Sequence, residues 1–192
     1  AELSSSNPFV TITNSSASSI NKVFTTGALK YSVKLAIVNS FGCKDTFTDF
    51  VYVYPNPTAD FSINQTSQCL TGNTFELTNL SLTNTSSPTL NYYWNFGDGS
   101  SSITKSPNKS FNNSGSFDIK LIATNPQGCR DSITYGVNVM AQPQASFTIN
   151  NSSQCIDNNT FQLTQTSTVT GISITGTDWI FSDGTTKTGS TT

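Results

Sequence analysis

The chain has 192 residues, a sequence pI of about 4.8 and a formal net charge of −2 at pH 7. Its few Lys and Arg residues form no cluster, which excludes the electrostatic footprint of a nucleic-acid-binding protein, and no segment approaches the roughly 20 apolar residues of a membrane span. It contains no histidine, the commonest general base and metal ligand at neutral pH, so we expect no catalytic site, no metal site and no cofactor.

The composition favours β-structure. The chain contains 13 Phe, 6 Tyr and 2 Trp residues, which supply the bulky groups of a packed core although only 10% of residues are charged. Thr, Val and Ile favour strands, and no long window shows the apolar periodicity of a helix. The sequence therefore predicts an all-β protein.

An internal repeat organises the chain. At an offset of 86 residues, Cys43 aligns with Cys129 and Cys69 aligns with Cys155. At the same offset YSVKLAIVNSFGCKD (residues 31–45) lies over FDIKLIATNPQGCRD, and FSINQTSQC (residues 61–69) lies over FTINNSSQC. One register maintained over this length indicates tandem repeats rather than chance.

The predicted elements follow this register along the chain. Residues 1–56 correspond to the later part of one repeat, 57–142 to a complete repeat, and 143–192 to the early part of a third. In the complete repeat, period-two alternation and regular turns fit a β-sandwich with Phe75, Trp94 and Leu121 in one core, which the resemblance described below extends to seven strands in two sheets. Strands are predicted at 59–64, 74–80, 91–96, 116–124 and 133–139, with turns at 97–100, 112–115 and 125–128. Because a half-sandwich cannot cover its own core face, we expect the chain to be a window from a longer array.

The complete repeat resembles a known domain family. YWNFGDGS (residues 93–100) resembles the YxWDFGDG signature of PKD domains, and GSFDIKLIATN (residues 115–125) resembles their GxYxVxLxVxN strand. The resemblance implies tandem immunoglobulin-like β-sandwich repeats. The cysteine pattern is similar to PKD repeats in cell-surface proteins of Bacteroidetes, such as SprB-type gliding-motility adhesins, and implies an extracellular location.

Two aspartates and two tryptophans are candidate ligand-binding residues. Asp98 and Asp183 lie in the turn of the signature and could bind calcium, but one carboxylate per turn is too few for a site of about 6–8 oxygens. We expect them to accept hydrogen bonds within their own turns. Trp94 and Trp179 could stack on sugars, but their position before that turn predicts core residues.

A modification site is also predicted. Asp131, Ser132 and Ile133 resemble the D-S/T-apolar acceptor of O-glycosylation in Bacteroidetes, which makes Ser132 a glycosylation candidate.

The four cysteines are disulfide candidates. They include no CxxC pair, and spread cysteines in a chain rich in Ser, Thr and Asn suggest an oxidising compartment. In the topology that the resemblance implies, Cys69 lies at the end of the sandwich facing the next repeat and Cys129 at the opposite end. We favour an interdomain bridge from the early Cys of one repeat to the late-hairpin Cys of the following repeat, with Cys69–Cys129 as the intradomain alternative. The candidates are Cys43, Cys69, Cys129 and Cys155.

These features predict a structural role. We expect a segment of a cell-surface filament or adhesin stalk, serving adhesion or gliding motility, whose partners are neighbouring repeats and surface polysaccharide or other filament subunits. The alternative is a polysaccharide- or protein-binding accessory module of a secreted hydrolase. An exposed aromatic row on one sheet would favour that alternative.

Overall fold

A computed structural model describes residues 19–25, 30–83 and 89–189. All regular structure in these ranges is β-strand, which confirms the predicted all-β class. The parts of the predicted segments 1–56 and 143–192 at positions 1–18, 26–29 and 190–192 lie outside the described residues.

The first described strands form a two-stranded antiparallel hairpin. Its register places Leu35 opposite Phe47, and its turn is closed by the N–H of Gly42 donating to the carbonyl of Asn39. Gly42 adopts a positive φ of 83°, which glycine tolerates without steric cost. The strands are β1 (Lys30–Val38) and β2 (Lys44–Tyr52).

The next eight strands form a two-sheet sandwich. They are β3 (Phe61–Ile63), β4 (Ser67–Cys69), β5 (Phe75–Asn79), β6 (Asn91–Asn95), β7 (Ser101–Ser102), β8 (Asn108–Lys109), β9 (Gly115–Thr124) and β10 (Arg130–Met140). One sheet has the order β4-β10-β9-β6-β7, and the other has the order β3-β5-β8. All pairs are antiparallel except β4–β10, which is parallel.

The core of this sandwich contains the predicted residues. Phe75, Trp94 and Leu121 are each 0% exposed and belong to one apolar cluster, as the alternation predicted. Phe61 packs edge-on against Trp94, with ring centroids 4.9 Å apart. Alternation of period two produces this result because it sends every second side chain to the same face of a strand.

Among the described residues the sandwich has eight strands rather than the predicted seven, of which only five were placed in the sequence. The strands not placed are β4, β7 and β8, which have two or three residues each and are mostly polar. β4 forms because β10 offers its edge beside it, with Cys69 in register with Met140. Such strands depend on their partners and leave no alternation in the sequence.

The last described strands form two separate pairs. Phe147 in the first pair and Trp179 in the second pack edge-on with ring centroids 5.2 Å apart. The sequence Ser-Gln-Cys recurs at 153–155 but forms no strand there, since no strand equivalent to β10 lies beside it among the described residues. The strands are β11 (Phe147–Ile149) with β12 (Leu163–Gln165), and β13 (Thr177–Ile180) with β14 (Thr186–Gly189).

A buried amide fastens the sandwich from inside. Asn73 is 6% exposed; its Oδ1 accepts from the Phe111 N–H (2.7 Å), and its Nδ2 donates to the carbonyls of Phe111 (2.9 Å) and Leu70 (2.7 Å). We expect Asn73→Ala to lower the free energy of unfolding by about 2–3 kcal/mol, because it leaves buried backbone groups without partners. The exposed Asn112→Ala should change it by less than about 0.5 kcal/mol. Urea denaturation followed by circular dichroism measures both, and equal effects would contradict the assignment.

Candidate functional site

The signature turn, residues 97–100, is stabilised by contacts among Asp98, Ser100 and Lys109. Asp98 Oδ1 accepts from the Ser100 N–H (3.0 Å) and Oγ (2.6 Å), and Oδ2 forms an ion pair with Lys109. Partial burial raises the pKa of Asp98, but the hydrogen bonds from Lys109 and Ser100 outweigh burial and lower it to about 2. A calcium ion at this carboxylate would therefore have to displace the Lys109 ammonium.

The equivalent turn near the end of the described chain is similar. Asp183 Oδ1 accepts from the Thr185 N–H (2.9 Å) and Oγ1 (2.7 Å), which lowers the pKa of Asp183. Both aspartates thus make the turn hydrogen bonds that the sequence predicted. Asp183 makes no ion pair with any described residue.

The depressed pKa of Asp98 sets an acid dependence of stability. A carboxylate whose pKa is about 2 in the folded state and 3.8 in its ordinary, unfolded state stabilises the fold fully above pH 4. That contribution is lost as the pH falls through 2. We expect Asp98→Asn to lower the free energy of unfolding by about 1 kcal/mol at pH 7, a partly exposed ion pair being worth little more, and by much less at pH 2, where half of the folded molecules have a protonated Asp98. Asp183→Asn is the matched control and should leave unfolding of the β3–β10 sandwich unchanged at both pH values.

The two tryptophans differ in burial. Trp94 is fully buried, and its Nε1 donates to the carbonyl of Thr104 (2.8 Å), as a core tryptophan should. Trp179 is only half-buried, because no strands equivalent to β9 and β10 cover it among the described residues. The prediction of a core position is thus confirmed for Trp94. Trp179 packs against Phe147 but is only half-buried.

A turn closes one end of the sandwich over the incoming chain. Asn125 is 3% exposed; its Oδ1 accepts from the N–H groups of Gln127 and Cys129, and its Nδ2 donates to the carbonyl of Pro55 (3.2 Å). Cys129 Sγ lies 3.6 Å from the carbonyl oxygen of Tyr54. The chain therefore enters the sandwich at the β9–β10 turn.

The other cysteine of the sandwich lies at the opposite end. Cys69 is in register with Met140, the last residue of β10, and the Leu70 N–H donates to the Met140 carbonyl (2.8 Å). The eleven residues of β10 separate this position from Cys129 by roughly 33 Å. Disulfides require Cα atoms within about 7 Å. All four cysteines are described and none forms a disulfide; Cys43, Cys69 and Cys155 are exposed, and Cys129 is half-buried.

Ser132 lies on β10 in register with Ile122 and is exposed. The neighbouring Asp131 turns inward along the strand and accepts from the Ala59 N–H (2.9 Å). An enzyme could thus reach the Ser132 hydroxyl, while Asp131 contributes to the fold.

Two apolar faces are exposed outside the sandwich. The first, which we call the hairpin face, lies on β1 and β2 and comprises Val33, Leu35, Ile37, Phe47 and Val51. The second, the open groove, is a depression of about 800 Å³ between the β11–β12 and β13–β14 pairs. Its apolar lining includes Phe147, Ile149, Phe161, Leu163, Trp179 and Phe181.

The described residues contain neither a metal-binding cluster nor a membrane-spanning helix. Across residues 19–25, 30–83 and 89–189, no three His, Cys, Asp or Glu side chains gather where they could hold a metal ion. No helix long and apolar enough to cross a membrane occurs in these ranges.

Comparison with known proteins finds a similarity that covers the sandwich. Residues 54–139 match the model of the PKD domain family. PKD domains are typical of extracellular or secreted proteins. No curated protein matches the chain.

Three solved structures are similar to parts of the chain. The PKD1 domain of Vibrio anguillarum Epp is 23% identical, over 45% of this chain and 96% of that one, with a TM-score of 0.40. The PKD1 domain of the Vibrio cholerae metalloprotease PrtV is 26% identical, over 44% and 98%, with a TM-score of 0.38. A structure described as showing promiscuous specificity of carbohydrate-binding modules from the β-sandwich superfamily is 20% identical, over 58% and 53%, with a TM-score of 0.42.

Sequence reasoning missed the two asparagines that organise the sandwich. Asn125 recurs as Asn39 at the repeat offset, and Asn39 Oδ1 also accepts from the N–H of the following cysteine, Cys43 (2.9 Å). Asn73 recurs as Asn159, whose Nδ2 donates to the carbonyl of Ile156 (2.8 Å). The recurrence of a polar residue in one register was the available signal.

Proposed function

We propose that the chain is a segment of a cell-surface stalk in which β-sandwich repeats stack end to end. The observation that carries the proposal is the position of the chain ends of the β3–β10 sandwich. The chain enters beside the β9–β10 turn at Tyr54 and Pro55, and it leaves after Met140 at the far end of β10. A repeat of this kind extends the chain by its own length, roughly 35–40 Å, instead of folding it back.

The junction contacts support a stiff connection. The Asn125 amide donates to Pro55, and Cys129 Sγ lies against Tyr54, so the turn of one repeat contacts the segment that joins it to the preceding one. Pro55 and Pro57 fix φ in this short connection. Resistance to bending is what a spacer that holds an adhesive tip away from the cell requires.

The interdomain disulfide belongs to this proposal. Tyr54 and Met140 occupy the same position in successive repeats, at the offset of 86 residues. Cys129 lies against Tyr54, whereas Cys69 lies against Met140. The late-hairpin cysteine of each repeat and the early cysteine of the preceding repeat therefore converge on the same strand end, where a disulfide would staple the junction.

A tandem protein tests the staple. Two copies of residues 57–142 joined directly recreate one junction, and under oxidised glutathione we expect Cys69 of the first copy to bond to Cys129 of the second. Peptide mapping without reduction identifies the linkage. Free thiols at both positions, or linkage of Cys69 to Cys129 within one copy, would contradict the staple but leave the stacking of repeats intact.

The accessory-module alternative requires an aromatic binding surface. Tyr93 is exposed on β6, but its cross-strand neighbours on that face are Ile122 and then Ser132. A single tyrosine in such a row is a poor platform for an extended sugar chain, and this arrangement favours the stalk.

The biological setting of the stalk is part of the same proposal. We propose that the protein is extracellular and non-catalytic, that it lies on the surface of Bacteroidetes cells, and that it is similar to SprB-type gliding-motility adhesins. Its partners would be neighbouring repeats and surface polysaccharide or other filament subunits, and Ser132 would carry an O-glycan. Antibodies to residues 57–142 should label intact source cells without permeabilisation, at a distance from the outer surface in electron micrographs. Labelling only after lysis would refute the surface role, and an unmodified mass of the β10 peptide would refute the glycan.

A further inference from the structure

The chain that enters the sandwich runs beside its last strand, in the same direction. We call residues 59–70 the entering segment. Near the start of β10, the Ala59 N–H donates to Asp131 Oδ2 (2.9 Å). Further along, the Tyr135 hydroxyl donates to Asp60 Oδ1 (3.1 Å). The beginning of the entering segment is therefore attached to the first half of β10.

The end of the entering segment is joined to the second half of β10 by backbone hydrogen bonds. The Asn138 N–H donates to the Thr66 carbonyl (2.8 Å), and the Leu70 N–H donates to the Met140 carbonyl (2.8 Å). Between these two bonds lies the parallel β4–β10 pair. The contacts advance in the same order along both chains, so the entering segment and β10 overlap over nearly the whole of β10.

The entering segment and β10 are also where tension would reach the sandwich. The chain enters beside the β9–β10 turn at Tyr54 and leaves after Met140, at the far end of β10. Tension pulls the entering segment toward the entry and β10 toward the exit, so that one slides along the other. Hydrogen bonds between strands run across this direction. They are therefore loaded together instead of breaking one after another.

The neighbouring connections are stronger or less direct. β10 shares ten register positions with β9 but three with β4. β3, within the entering segment, pairs with β5 at three positions. Among the described residues, however, the β3-β5-β8 sheet shares no strand with the sheet that contains β10. The contact between the entering segment and β10 should therefore yield before β10 separates from β9.

A glutamine fastens this contact to the second sheet. Gln68 lies on β4; its Oε1 accepts from the Thr74 N–H (2.7 Å), and its Nε2 donates to the Thr74 carbonyl (2.8 Å), just before β5. Gln154 makes the same two bonds with Thr160, each 2.7 Å, although residues 153–155 form no strand. Gln68 thus fixes the shape of the loop independently of β10.

We propose that the entering segment and β10 form the load-bearing link of the repeat, a clamp that resists tension until its hydrogen bonds shear together. The clamp has a use only in the proposed stalk, on which this inference rests, because a spacer between a cell and an anchored tip is pulled from both ends. Its strength depends on the direction of the pull, which the free energy of unfolding alone does not determine.

Two pulling directions on one protein test the clamp. The full chain carries Cys43→Ser, Cys129→Ser and Cys155→Ser, so that Cys69, at the end of β4, is its one thiol. Optical tweezers pull this protein either from its two termini, which shears the clamp, or from Cys69 and the C-terminus, which peels β4 from β10 bond by bond. The unfolding force of the sandwich should be at least about twofold larger between the termini. In that pull, the roughly 86 residues of the repeat release about 250 Å of chain, which identifies the event. Equal forces in the two directions, or a larger force on peeling, would overturn the proposal.

A tyrosine in the clamp offers a milder change. Tyr135→Phe removes the hydroxyl that donates to Asp60 but keeps the ring on Phe61, with centroids 4.8 Å apart. At constant force between the termini, the sandwich should then unfold about three- to tenfold faster. Tyr93→Phe is the matched control, because Tyr93 is exposed on β6, two strands away from β10, and it should leave the rate unchanged. An unchanged rate for Tyr135→Phe, or an equal effect of Tyr93→Phe, would contradict the clamp.

The clamp and the stacking of repeats can fail separately, because the forces are those of a single sandwich. A freely jointed tandem protein would refute the stalk even if the two forces differed. Equal forces would refute the clamp even if the tandem protein were extended.

Discussion

Replacement of Trp94 by Ala is expected to remove most of the stability of the β3–β10 sandwich. The side chain is fully buried, packs edge-on against Phe61 and donates to the Thr104 carbonyl. Truncation of a buried Trp to Ala costs about 3–5 kcal/mol, and a domain of this size has only about 5–10 kcal/mol in total. The midpoint of urea unfolding should fall by about 2–5 M, given a slope of about 1–1.5 kcal/mol per M.

Trp179→Ala is the matched control for this experiment. Trp179 occupies the equivalent position but is half-buried and belongs to another sheet. It should shift the sandwich transition by less than about 0.5 M, since substitutions away from a core change stability little. Circular dichroism measures both transitions. A Trp94→Ala chain as stable as the original would show that Trp94 is not a core residue of an independently cooperative sandwich.

Replacement of Gly97 by Ala is expected to have the second-largest effect. Gly97 has a φ of +79°, and a Cβ there would lie 2.8 Å from the Asp118 carbonyl oxygen and 3.0 Å from its nitrogen. Those atoms belong to the backbone of β9, which is paired on both edges and cannot move away. The backbone strain costs about 1–2 kcal/mol and the clash adds to it, so we expect about 3–4 kcal/mol in total.

Gly99 in the same turn separates the two causes. Its φ of +88° is equally unfavourable for alanine, but a Cβ there would have no atom within 4 Å. Gly99→Ala should therefore cost only about 1–2 kcal/mol, the strain without the clash. The difference between the two variants, about 2 kcal/mol, measures the approach of β9 to the turn. If both variants lost the same free energy of unfolding in urea denaturation, the close contact between the turn and β9 would contribute nothing to the cost of Gly97→Ala.

Much of this fold could be predicted from the sequence because its core strands alternate strictly. Phe117, Ile119 and Leu121 on β9 send every second side chain inward, and the repeat offset fixes which strands correspond. The short strands could not be predicted in this way. Ser67–Cys69 becomes β4 only because β10 passes beside it, and the same three residues at 153–155 form no strand.

The two exposed faces show a further limit of sequence reasoning. Alternation predicts that Leu35 and Phe161 belong to a core, and the repeat offset says which partners they need. Burial, however, depends on whether those partners are present, and Phe161 is 46% exposed while its counterpart Phe75 is 0% exposed. The cysteine positions were predictable for a related reason. Strand direction alone places Cys69 and Cys129 at opposite ends, but only the structure shows the strand end, Tyr54 or Met140, that each contacts.

Repeats of this kind are proposed to stack end to end into a stiff stalk. Small-angle X-ray scattering of proteins with one, two and four tandem copies of residues 57–142 tests it most directly. Stacking predicts a maximum dimension that grows by roughly 35–40 Å for each added copy, because the chain enters and leaves at opposite ends of β10. Growth with only the square root of the copy number, as for freely jointed domains, would contradict end-to-end stacking.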